Sequence, residues 1–423
     1  MHRFSNNQRV QLLLLCLFGA IGAAFTPVQA SASKTPTATT SVSEASNAFG
    51  FRLYQQLSQR DSGKNILISP LSISAGLAMV YNGTNGQTKS EMAKALGWQF
   101  LDLPKLNSGY QALFAQLQHT RKTNIYIQSS LQIANALMVQ QKFPLHPDFI
   151  QRCRTNYQAD LEMVDFSKHE TAARHKINTW IAEKTYGNIP DMLQQPLEPE
   201  TRVVLIDALY FKNAWQNPFE HATESDPFTG ADGKVINVLT MCKTGDYDCF
   251  LTRTLQAVRL PYAGDGMSME IYLPASHMGL TSLVKQLSPE QWRSWQRQFS
   301  RHACTILLPR FNAEYAIDLK ATLQRMGMSS AFLGAADFSG MAKGLFLFHA
   351  LHRGKIAVNE YDTEVAAATT YHGGKGGGIP DPQSLPYDIT VDHPFFYAIR
   401  AKDGTILFMG SIADLHALEI HEH

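Results

Sequence analysis

The chain has 423 residues, is 44% hydrophobic and 17% charged, and carries 37 basic against 36 acidic side chains. That is long and apolar enough for a large core that needs no disulfides or metal to fold. A formal charge of +1 supplies no basic field, so neither nucleic acid nor an anionic membrane is expected as a partner.

Residues 1–30 place Arg3 and Arg9 ahead of the apolar run from Leu12 to Phe25 and end on Val28-Gln29-Ala30, the layout of an export signal peptide. The run is short for a membrane span. Its removal takes two bases and no acid and leaves a net charge of about −1. A secreted chain, extracellular or periplasmic and free of the membrane after signal cleavage, is the expectation. Residues 31–44 are rich in Ser and Thr and read as a disordered linker, with a domain from 45 to 415 and a short tail at 416–423.

Phe49, Leu53 and Leu57 mark a first helix. Thr88 to Glu91 has the spacing of a capping box ahead of Met92, Ala95 and Leu96. Arg121-Lys122 is the basic pair to check for polyanion binding and reads as a solvated turn. Ala173, Ile177, Trp180 and Ile181 mark another helix, which Gly187 can end. Val203 to Phe211 is a nearly continuous apolar run suited to a central strand buried on both faces, and Met267, Met269, Ile271 and Leu273 alternate as a strand. Cys16 falls in the export signal, leaving Cys153, Cys242, Cys249 and Cys304. Cys242 and Cys249 flank Lys243 to Asp248, which reads as a hairpin tip across which a disulfide can close. Helices dominate the first half and strands the second, giving a single α+β domain around a large sheet.

Thr363 to Gly378 reads in two ways at once. Thr363, Val365, Ala367, Thr369, Tyr371 and Gly373 form one uncharged face, while Asp362, Glu364, Ala366, Ala368, Thr370 and His372 form the other. That alternation belongs to a strand with one buried and one solvated face. The same stretch ends in Gly373-Gly374-Lys375-Gly376-Gly377-Gly378 and then Pro380, Pro382 and Pro386, which is how a surface loop is written.

His349 to Glu360, running into Thr363 to Thr369, resembles the proximal hinge of the serpins. Asn65 to Ile73, Leu205 to Trp215 (LIDALYFKNAW), Leu308 to Phe311 with Asp318-Leu319, and Asp392 to Phe396 with Leu407 to Gly410 resemble further serpin signatures in the serpin order. They cover essentially everything from about residue 45 to 415. The resemblance implies the serpin fold: a large mixed central sheet, smaller sheets, eight or nine helices and an exposed reactive centre loop at about 360–390. It points to a secreted, bacterial-type inhibitory member.

What such a member does is trap serine endopeptidases, with cysteine endopeptidases as a second class, as an irreversible suicide substrate. The protease cuts the loop, an acyl-enzyme forms, and the freed front of the loop joins the central sheet before the ester hydrolyses. Thr363 to Gly374 spans about 40 Å as a strand. A dozen new ladder hydrogen bonds are worth on the order of 10 kcal/mol, so the uncut fold is expected to be metastable. The hinge is then Glu360, Thr363, Glu364, Val365, Ala366, Ala367, Ala368 and Thr369. Ser72 and His352 match positions under the sheet where strands part, and Trp215 one beneath the point where the loop inserts.

Three residues depart from the family pattern. Asp207 stands where serpins usually have Asn, and beside His352 it would make a carboxylate–imidazole pair whose strength depends on pH. Asp362 replaces the usual hinge Gly and Val365 a smaller Ala, and both are expected to slow insertion. Counting the family's loop length from Glu360 lands on Gly376, but Lys375 is the better recognition residue, so Lys375-Gly376 and a trypsin-like target come first. Gly376-Gly377 for an elastase-like enzyme and Tyr371-His372 for a chymotrypsin-like one follow. The alternative function is a non-inhibitory carrier, chaperone or storage protein on the same fold.

Enzyme signatures are lacking: there is no G-x-S-x-G or H-E-x-x-H, and GGKGGG has no Ser/Thr to complete a phosphate loop. No cofactor is expected. His349 with His352 and the terminal His421-Glu422-His423 are too sparse for a metal site. A monomer is expected.

Overall fold

The computed structural model describes residues 38–122, 130–264, 266–362 and 387–415. The chain opens with α1 (Ala38–Arg60), β1 (Ile66–Ile68), α2 (Pro70–Tyr81), α3 (Gly86–Leu96) and α4 (Leu103–Lys122). Next come β2 (Ser130–Gln140), α5 (Pro147–Tyr157), β3 (Asp160–Val164) and α6 (Glu170–Lys184). Strands then dominate: β4 (Val203–Lys212), β5 (Glu220–Thr229), β6 (Val235–Leu251), β7 (Leu255–Pro261) and β8 (Ser268–Pro274). After α7 (Gly279–Gln286) and α8 (Pro289–Gln298) follow β9 (Ser300–Pro309), β10 (Phe311–Asp318), α9 (Lys320–Arg325) and β11 (Leu347–Val358). The last three strands are β12 (Tyr387–Thr390), β13 (Phe395–Arg400) and β14 (Ile406–Ile412).

The strands form two sheets. The larger has nine strands, in the order β1-β14-β13-β8-β7-β6-β9-β12 with β5 paired to β6, and the smaller has five, in the order β10-β11-β4-β2-β3. The smaller sheet is mixed. β10 and β11 are antiparallel, β11 and β4 parallel, β4 and β2 antiparallel, and β2 and β3 parallel. This is the expected α+β architecture.

β4 shows why the smaller sheet is buried on both sides. Val203, Leu205, Leu209 and Phe211 join the main core, which includes α2, while Val204, Ile206 and Ala208 pack with Ala173, Ile177 and Ile181 of α6. A continuous apolar run is what a strand covered on both faces requires. Gly76 lets α2 lie close against this sheet, since a Cβ there would sit 3.1 Å from Leu205. β8 likewise is buried at every position.

Several sequence expectations need correction. α1 begins at Ala38, inside the 31–44 segment read as a disordered linker, because Val42, Ser43 and Ser46 are buried along its inner face. Thr88 and Glu91 do not make a capping box: α3 starts at Gly86, Thr88 Oγ1 accepts from the Asp337 amide, and Glu91 accepts from Ser330. Cys242 and Cys249 do not flank a turn. Both lie on the unbroken strand β6, about 23 Å apart at strand rise, so no disulfide joins them. The expectations for residues 1–37, for the tail at 416–423, for hinge residues Thr363, Glu364, Val365, Ala366, Ala367, Ala368 and Thr369, and for Lys375, Gly376 and Gly377 lie outside the described residues. Among the described residues no helix is long and apolar enough to cross a membrane.

Candidate functional site

The parallel seam between β11 and β4 is the point where the expected residues converge. Its register pairs Ala350 with Leu205, His352 with Asp207, Gly354 with Leu209 and Lys355 with Tyr210. Asp207 shares the face of Leu205 and Leu209, so it points at α2. That helix starts at Ser69-Pro70, where Ser69 Oγ accepts from the Ser72 amide at 3.2 Å and Pro70 fills the first helical position. The cap fixes Ser72 in the first turn, directly under the seam.

A buried polar cluster results. Ser72 Oγ donates to Asp207 Oδ1 at 2.6 Å, and Asp207 Oδ2 lies 3.2 Å from His352 Nδ1. His352 Nε2 is 3.3 Å from the Leu67 carbonyl oxygen of β1. Both ring nitrogens therefore lie within hydrogen-bond reach of an oxygen. Asn135 of β2 completes the cluster, with its Nδ2 3.4 Å from the Ser72 carbonyl oxygen. Ser72, Asp207 and His352 are at most 2% exposed. The Asp207–His352 pair is a direct side-chain contact across the seam, so parting β4 from β11 must break it.

At the upper end of the seam the chain reverses. Asn359 Oδ1 accepts from the Tyr361 and Asp362 amides, and Asn359 Nδ2 donates to Asp362 Oδ1 at 2.8 Å. The turn sets Asp362 opposite Ala214 in an antiparallel bridge, just past the end of β4. Trp215 holds this turn: its amide donates to the Tyr361 carbonyl at 3.0 Å and its indole Nε1 to the Asn359 carbonyl at 2.9 Å. The indole is stacked on Tyr262 at 4.6 Å and meets Phe219 edge-on at 5.8 Å. Glu360, 2% exposed, is held by Arg310, whose Nε donates to it at 2.7 Å.

Ser72, Asp207, His352, Trp215 and Glu360 are thus all brought to one seam, the first three beneath it and the last two at its end. Asn135, Arg310, Asn359 and the Leu67 carbonyl were not foreseen. Arg310 lies inside a stretch quoted for its likeness to the family, but its partner is 50 residues away and no local pattern announces the pair. Among the described residues no cluster of His, Cys, Asp and Glu is arranged to hold a metal.

The family model Serpin (serine protease inhibitor) matches residues 44–415. Leukocyte elastase inhibitor of Bos taurus is 34% identical over 387 residues, covering 88% of this chain and 99% of that protein. Serpin B8 of Homo sapiens is 34% identical over 379 residues, covering 87% and 97%. The solved structure of the thermophilic serpin tengpin in its native state matches with a TM-score of 0.80 at 27% identity, over 89% of this chain and 94% of that one. One expectation is overturned here: leukocyte elastase inhibitor and serpin B8 are intracellular serpins that lack signal peptides, so the extracellular or periplasmic placement read from residues 1–30 is withdrawn. Family members inhibit proteases and are not themselves enzymes. With a family match across most of its length, relatives above 30% identity and the same fold, this chain belongs to the serpin family.

Proposed function

We propose that the chain is an irreversible suicide-substrate inhibitor of serine endopeptidases. The observation that carries this reading is the antiparallel bridge of Asp362 to Ala214 at the end of a parallel strand pair. A chain leaving β11 and turned back by Asn359 to Asp362 is aimed down the seam. Continued from Thr363, it would run antiparallel to both β11 and β4, so one added strand satisfies both neighbours.

The chemistry is the protease's own. Its serine attacks the carbonyl of the residue before the cut, the amine fragment leaves, and the ester carries the protease on the new end of the segment. Insertion of that segment drags the protease away before water completes the hydrolysis. Hinge residues Thr363, Val365, Ala367 and Thr369 take the inward face, where uncharged side chains are tolerated. Lys375-Gly376 is the first choice of bond, for a trypsin-like enzyme. An elastase-like enzyme cutting at Gly376-Gly377 is the second reading, favoured by the name of the bovine relative.

The test mixes the chain with trypsin-like, elastase-like, chymotrypsin-like and papain-like proteases, followed by denaturing gels and mass spectrometry of the released peptide. A band at the summed mass less the released fragment that survives denaturant is the expected result, and the fragment's mass names the bond. Clean cleavage with fully active protease would contradict inhibition and favour the carrier reading.

A further inference from the structure

Two cysteines that the seam does not use meet in the larger sheet. Cys249 on β6 and Cys304 on β9 are both 0% exposed, and their Sγ atoms are 2.7 Å apart. That is closer than two unbonded sulfurs rest and longer than the ~2.05 Å of a disulfide. Across the antiparallel ladder Gly245 faces Cys304, Tyr247 faces His302 and Cys249 faces Ser300. The cysteines therefore share one face of the ladder but are out of register. A flat ladder would hold them about 13 Å apart along the strand direction. Their 2.7 Å contact therefore means that the two strands do not run flat between these positions. On its other edge β9 carries β12, with Cys304 opposite Tyr387, the first described residue after 363–386.

We propose that Cys249 and Cys304 form a reversible disulfide that ties β6 to β9 beside the strand following residues 363–386. The oxidant is a peroxide. One sulfur attacks a peroxide oxygen, the O–O bond breaks, and a sulfenic acid and one water result. The second sulfur attacks the sulfenic sulfur and forms the S–S bond, and the hydroxyl leaves with the remaining thiol proton as a second water. Two thiols are oxidised and one peroxide is reduced, with nothing left over. Burial raises the pKa of both thiols, so little thiolate is present at neutral pH and the bridge forms slowly.

The full-length protein is treated with hydrogen peroxide under native conditions, alkylated, digested without reductant and mapped by mass spectrometry. The expected product is a cross-linked pair of peptides joining Cys249 to Cys304, lighter than the two thiol peptides by two hydrogens and separated by dithiothreitol. The thermal unfolding midpoint is expected to rise on oxidation, to return on reduction, and to stay fixed in Cys304→Ser. Recovery of both residues as free thiols or as separate sulfur acids, or a bridge to Cys242 or Cys153 instead, overturns the proposal. The wild-type peptide map decides this even if Cys304→Ser fails to fold.

Discussion

Asp207 holds two partners at once, the Ser72 hydroxyl and the His352 ring. Asp207→Ala strands one nitrogen of His352 in a dry site and leaves the Ser72 hydroxyl only its longer, 3.4 Å contact to Asn135 Oδ1. A loss of about 2–3 kcal/mol in stability to denaturant is expected. Adding His352→Ala should then cost much less than it does alone, because the pair acts as a unit. Strictly additive effects would contradict the clasp. At the lower end of β11, burial works against the charged form of His349, but hydrogen bonds to Asp318 and Glu198 outweigh it and raise its pKa above the ordinary 6.5. A raised folded pKa means that this contribution is complete below pH 6.5 and is lost as the pH climbs through the folded value. The deficit of His349→Gln in denaturant midpoint should therefore be larger at pH 6 than at pH 9, and a pH-independent deficit would refute this. Ser72, Trp215, His352 and Glu360 could be named from motif order alone. Asn135 and Arg310 could not, since what pairs them is strand register across the fold.

At the scale of elements, the seam joins two strands that run the same way and lie far apart in sequence. β4 was legible because a run without polar breaks, other than Asp207, suits only a strand covered on both faces. β6 was misread for the opposite reason. Lys243-Thr244-Gly245-Asp246 has turn chemistry, but β9 pairs with it along its length and keeps it extended. Gly245 there makes room for the Tyr247 ring, which a Cβ would approach to 3.3 Å. If the segment after Asp362 becomes a strand in this seam, its inward face must stay uncharged. Val365→Thr should keep protease trapping, whereas Val365→Arg should convert the inhibitor into a substrate, with trapped protease falling at least about tenfold. Titration of active protease against each variant measures this, and an Arg variant that traps as well as wild type would rule out the inward placement.

For the molecule as a whole, trapping by strand insertion requires a fold that is not at its lowest free energy. An added strand is worth on the order of 10 kcal/mol in ladder hydrogen bonds, and the buried cluster beneath the seam stands in the way of gaining it. Cleavage within 363–386 should therefore raise the thermal unfolding midpoint by more than about 10 °C, although a covalent bond has been lost. An unchanged or lowered midpoint would mean that the uncut fold stores nothing. A crystal structure of the loop-cleaved chain decides whether the freed segment enters the seam. Residues from Thr363 onward are expected hydrogen-bonded between β4 and β11, with His352 no longer opposite Asp207. A cleaved chain in which Lys355 still pairs with Tyr210 across a closed seam would contradict this.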